Sequence, residues 1–221
     1  MEQRGQDNYP AWKGNHEHEG LDAADIDGDG VTDIVAGGRW FNDDGKGGFA
    51  ENIIDAGYAF SRAAAGQLIE GGRPEVLLVV GDGIGPLEMY ECRNGTWFSR
   101  TLLENVDKGH TLQVVDFNHD GHLDIFSAEM RFGEGNPDAK ALVLLGDGKG
   151  HFQKNILVEG YDFHQSSLAN LDGDGDLDIL EKPYSWKTPR LDIWINEGAQ
   201  GSNTNASVGI IFFTWNPWKL F

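Results

Sequence analysis

The chain has 221 residues, with 17 Lys and Arg against 36 Asp and Glu, a formal net charge of -19. Such a surface repels a phosphate backbone and argues against nucleic acid as a partner. The single cysteine, Cys92, excludes an internal disulfide framework, no run approaches the length of a membrane-spanning helix, and the start MEQRGQDNYP has no apolar stretch of a signal peptide.

Residues 1–15 carry no repeat and read as an N-terminal extension; a single repeat domain is expected over 16–200. Its first unit, 20–57, runs from Ala23-Ala24 into Asp25-Ile-Asp-Gly-Asp-Gly-Val-Thr-Asp33, then the apolar pair Ile34-Val35, a Gly-rich turn over 42–48 and Phe49. The second, 58–108, holds an eroded copy, Gly66 to Glu75, with the turn but without the carboxylates, followed by the buried-strand pattern of Glu75–Val80 and by the hairpin signal Asn94-Gly95 before Trp97. The third, 109–160, repeats the loop as Asp116 to Asp124, with apolar runs at 125–126 and 141–145, a turn at 146–150, and Phe152. The fourth, 161–200, has Asn170 to Asp178, then Ile179-Leu180 and the alternating stretch Leu191–Asn196. Residues 201–221 form an aromatic tail without a loop, either one more strand or the product of a shifted reading frame.

Loop starts at 25, about 66, 116 and 170 give a period of roughly 50 residues, the length of a propeller blade or similar sheet module. Four strand signals per unit, joined by turns, describe a four-stranded blade. The fold expected is all-β, a β-propeller of four-stranded blades; strand spacing alone also admits a β-sandwich or a β-solenoid.

The loops share the pattern D/N-x-D/N-x-D-G-x-x-D. Clustered carboxylates repel one another unless a cation sits among them. Oxygen ligands at positions 1, 3, 5 and 9 with a sharp turn at glycine 6 (Gly30, Gly121, Gly175) suit calcium, with magnesium second; zinc would call for histidine or cysteine. The expected ligands are Asp25, Asp27, Asp29 and Asp33; Asp116, Asn118, Asp120 and Asp124; and Asn170, Asp172, Asp174 and Asp178, about three Ca2+ ions in all. EF-hands are not expected, because position 12 is Ala36 or Ser127 in two loops and the third, with Glu181, has a β-type flank.

These loops, each followed by an apolar strand, resemble the FG-GAP or VCBS-type repeats of integrin α chains and secreted bacterial proteins, over roughly residues 16–198. The resemblance implies a calcium-binding propeller of six to eight blades, of which about four are present here, in an extracellular or periplasmic protein. It also implies a binding module for a carbohydrate or protein ligand; propellers of similar kind occur in some polysaccharide lyases and in a sugar-derivative dehydratase, so an enzymatic role stays open.

His110 and His164 each stand six residues before a loop, Glu19 stands six before the first and His18 seven, and Arg62 occupies the corresponding region of the eroded unit. In a propeller these positions converge at one channel mouth, opposite the loops. They are candidates for binding an anionic polysaccharide or for catalysis, with Arg131, Tyr184, Trp186 and Arg190 as further ligand-binding candidates. The alternative is that the histidines only fix neighbouring blades. His119, His122 and His151, in glycine-flanked turns, read as solvated.

Overall fold

The computed structural model describes residues 19–58, 60–131, 135–184 and 191–198, with 210–215 described at the level of the backbone. Among these residues the protein is all-β, sixteen strands in four antiparallel sheets of four. The first sheet comprises β1 (Leu21–Ala24), β2 (Asp33–Ala36), β3 (Arg39–Asp43) and β4 (Phe49–Ile53). The second comprises β5 (Ser61–Gly66), β6 (Glu75–Val80), β7 (Ile84–Arg93) and β8 (Thr96–Asp107). The third comprises β9 (Thr111–Val115), β10 (Asp124–Ala128), β11 (Lys140–Gly146) and β12 (Phe152–Glu159). The fourth comprises β13 (Gln165–Ala169), β14 (Asp178–Lys182), β15 (Leu191–Asn196) and β16 (Ile210–Trp215). Each sheet is a meander in chain order.

Local sequence explains the strands. β6 and β10 are almost wholly buried, as expected for β-rich apolar runs covered on both faces. The outer strands β4 and β12 are mostly exposed. Asn94 and Gly95 both have positive φ, 52° and 79°, which matches the twist of the β7–β8 hairpin. Phe49 and Phe152 open their outer strands, and Trp97 is the second residue of β8. Every Asp-rich loop joins the first two strands of a sheet, and strands flank residues 170–177, as the β reading of that segment requires. The outer strand of the fourth sheet comes from the aromatic tail: β16 pairs with β15 along six residues.

The core lies between consecutive sheets, because side chains alternate faces along a strand. On β6, Val76 and Leu78 pack with Val35 and Trp40 of the first sheet. Their neighbours Leu77 and Val79 pack with Ile125 and Leu144 of the third. On β10, Ile125 faces the second sheet, while Phe126 packs with Phe163 and Ile179 at the fourth. The sheets therefore stack face to face in chain order, and their first strands come together. Ala65 N on β5 donates to Asp22 Oδ2 on β1 at 2.9 Å. A Cβ at Gly66 would lie 2.7 Å from Val114 Cγ1, so glycine is what lets β5 approach β9. Thr111 Oγ1 accepts from Ser166 N at 3.0 Å, and Gln113 Nε2 donates to Ser166 O at 2.8 Å, joining β9 to β13.

Candidate functional site

Two groups of polar residues lie at opposite ends of the first strands. At one end are the Asp-rich loops, whose hydrogen bonds repeat from copy to copy. Asp25 accepts from Gly28 N, Asp29 N and Gly30 N; Asp116 accepts from Asp120 N and Gly121 N; Asn170 accepts from Gly173 N. The third and fifth positions each accept from the amide two residues on, in all three loops. The sixth-position glycines have φ of 87°, 89° and 108°, a region that disfavours side chains. This folding gathers carboxylate oxygens of Asp25, Asp27 and Asp29 within 4.8 Å of one another. A hard cation fits that oxygen set.

The eroded copy supplies an internal comparison. Its register begins at Gln67, one residue later than the sequence pattern suggests, because Leu68 stands where Ile26 and Phe117 stand. Positions 1, 3 and 5 are then Gln67, Ile69 and Gly71, and the Gln67 amide nitrogen donates to the carbonyls of Ile69 and Gly71. A side-chain donor thus ties this loop to its own backbone, whereas in the loop at 116–124 the Asn118 amide donates to the Asp120 carboxylate.

The ninth position does different work. Asp33, Asp124 and Asp178 are at most 1% exposed. Each accepts from the amide of the second loop residue, at 2.8, 2.8 and 2.6 Å. Asp124 and Asp178 also accept from Gly146 N and Asn196 N of the third strand, both at 2.8 Å. Burial pushes the Asp33 and Asp124 carboxyls above the usual range, against the pull of those amides. Glu75, 1% exposed, holds the same place in the eroded copy and accepts from Leu68 N and Ile69 N. That copy therefore keeps one carboxylate, contrary to the expectation that it had lost them all, and keeps it without the acidic loop. The signal was an acidic residue just before the apolar run. Position 9 is a backbone staple in all four sheets.

The loops also touch one another. His119 Nε2 lies 3.0 Å from Gly175 O in the next loop, and His122 Nδ1 lies 3.7 Å from Glu70 Oε1 in the preceding one. His151 pairs with Asp147 at 2.8 Å. His119 and His151 are exposed and His122 is half-buried, in keeping with their reading as solvated, and each also has a polar partner.

At the other end, the starts of the first strands assemble the second group. His110, 5% exposed, precedes β9 and stacks on His164, which precedes β13, with ring centroids 5.0 Å apart. Tyr184 also lies against His164, with ring centroids 5.0 Å apart. Burial, then the charge of His110, then those of Lys182 and Arg62 hold His164 down to about 4, so it is neutral near pH 7. Burial likewise lowers the Arg62 guanidinium, opposed by Glu19. Arg62 and His110 line a cavity of about 350 Å³ that also touches β1 and β13. The Arg62 Nε is buried without a hydrogen-bond partner among the described residues. Glu19, Arg62, His110 and His164 thus share one neighbourhood.

Arg131 stands elsewhere in role: its amide donates to Asp162 and its guanidinium to Gly160 O, at the β12–β13 connection. His18, Trp186 and Arg190 lie outside the described residues. Sequence spacing did not signal Asp82, in the β6–β7 turn, whose Oδ1 lies 3.1 Å from His110 Nε2. Behind β13, Glu181 is 1% exposed and accepts from Ser166 Oγ; burial above all, with Asp162 and Asp192 adding to it, pushes its carboxyl up to about 9. No family model matches the chain, and no curated protein matches it.

Proposed function

We propose that the chain is a calcium-stapled β-sheet repeat module of the FG-GAP or VCBS type, four blades of a larger propeller, that binds an anionic saccharide at the Arg62–His110 mouth. The observation that carries the binding reading is the buried Arg62 Nε, without a hydrogen-bond partner among the described residues, beside a cavity reached by the first strand of every sheet. A guanidinium donor left unmatched in a polar cleft is suited to a ligand carboxylate or sulfate. Blade-like meanders stacked in chain order support the propeller reading, and the oxygen cluster of Asp25, Asp27 and Asp29, with the same loop hydrogen bonds in the other two copies, supports calcium. Loops of this kind suit extracellular or periplasmic calcium. No helix among the described residues is long and apolar enough to cross a membrane.

Binding is favoured over a lyase or dehydratase step. A histidine held near 4 is a weak base at neutral pH, and His110 Nε2 already faces two carboxylates. Calorimetric titration of the calcium-loaded protein with uronate oligosaccharides and with neutral counterparts tests this. Binding of the charged series alone, lost in Arg62→Gln at unchanged melting temperature, is the expected result. Equal binding of both series, or of neither, overturns it. Ultraviolet absorbance of an unsaturated product would move the assignment to a lyase.

A further inference from the structure

We infer that Glu19, Asp82 and His110 form a second kind of metal site, for a divalent transition ion of the zinc class, at the end of the first strands away from the Asp-rich loops. The three ligand atoms lie within 4.8 Å of one another. His110 Nε2 is 3.1 Å from Asp82 Oδ1 and 3.6 Å from Glu19 Oε2. One ring nitrogen carries at most one proton, so it hydrogen-bonds one carboxylate, and 3.6 Å is beyond a hydrogen bond to the other. Both separations are those of neighbouring ligands around a single ion with bonds of about 2.1 Å. An ion at that point would add positive charge between two carboxylates that share one imidazole, Glu19 being coupled to Arg62 as well.

The arrangement is built by three distant segments. A Cβ at Gly81 would lie 1.9 Å from Glu19 Oε2, so the Glu19 carboxylate rests directly against the backbone beside Asp82. His110 is buried, Glu19 is 19% exposed and Asp82 56% exposed, which leaves the site open on the Asp82 side. His110 also lines the cavity with Arg62, so coordination positions beyond these three side chains are available to water or to an anionic ligand. The imidazole nitrogen sets the metal class: calcium and magnesium prefer all-oxygen shells, whereas zinc, iron(II) and related ions accept one nitrogen with carboxylates. The chain therefore sorts cations by donor chemistry, oxygen-only loops at one end and a mixed site at the other.

The test uses the full chain, stripped with chelator, loaded with millimolar calcium to fill the loops, then titrated with zinc and weighed for bound metal after gel filtration. One zinc per chain is expected on top of calcium. Asp82→Asn should weaken it at least tenfold at an unchanged calcium count, and His110→Ala should abolish it; if His110→Ala unfolds, Asp82→Asn carries the test. Asp29→Ala should leave zinc untouched. Cobalt substituted for zinc should report a nitrogen donor in its absorption spectrum. Failure of zinc to bind above calcium, or zinc binding indifferent to Asp82→Asn, overturns the assignment. No saccharide is present, so the result stands apart from the binding reading above.

Discussion

Asp124 and Asp120 are four residues apart in one loop, yet the structure gives them separate tasks. Asp120 accepts from His122 N at the exposed rim, and that amide holds its carboxyl below the usual range. Asp124 is fully buried and satisfies two amides, that of Phe117 in its own loop and that of Gly146 on β11. Asp124→Ala should therefore cost roughly 2–4 kcal/mol by stranding buried donors. Denaturant unfolding should show that loss equally with calcium and with chelator. Asp120→Ala should be destabilising in calcium and nearly silent in chelator. Glu181 gives a pH signature. Its folded pKa near 9 lies above the unfolded value near 4.5, so between them the folded state holds a proton that the unfolded state has released. Stability should fall as pH rises through that window and be fully present below it. Glu181→Gln should flatten the slope of melting temperature between about pH 5 and pH 9; an unchanged slope would show that other groups set it.

At the scale of elements, the central strands hold neighbouring sheets together through opposite faces. Leu77 and Leu78 are both fully buried, one toward the third sheet and one toward the first. Either Leu→Ala change should cost about 2–5 kcal/mol, the usual range for a core cavity. The register makes their partners different, so the two losses should be nearly additive in the double variant. The fourth sheet poses another question, since β16 supplies the outer edge. Truncation after residue 198 removes β16 and bares the β15 backbone along all six of its residues. Light scattering should then show self-association through that edge beyond that of the intact chain.

At the scale of the whole molecule, a net charge of -19 is concentrated in part at the loop end, where the second and third acidic loops touch and the second also meets the eroded one. Cations bound in the acidic loops would relieve repulsion within each. Chelation should lower the melting temperature by several degrees, and calcium should restore it more than magnesium does, because the loops present more oxygen ligands than a hydrated magnesium ion needs. Sodium chloride at equal ionic strength should recover only the screened part. Full recovery with sodium would mean that the loops respond to general screening and not to a bound ion.

Alternation, turn residues and the spacing of aspartates determined the strands by themselves: Glu75–Val80 and Leu191–Asn196 are strands over the same residues that the pattern marks. The reason is that strand formation, positive-φ turns and Asx turns are decided by neighbours within about ten residues. The matched offsets before the loops also placed Glu19, Arg62, His110 and His164 in one region, since equivalent positions of stacked sheets lie together. Tertiary structure decided what spacing cannot carry. Position 9 looks like another loop carboxylate in the sequence; the structure adds that it is buried between strands and accepts backbone amides, from the third strand as well at Asp124 and Asp178. Asp82 joins His110 because the β6–β7 turn of one sheet meets the start of the next, and Glu19 rests against the Gly81 backbone because three segments converge there. Such approaches depend on how sheets stack, which no local pattern encodes.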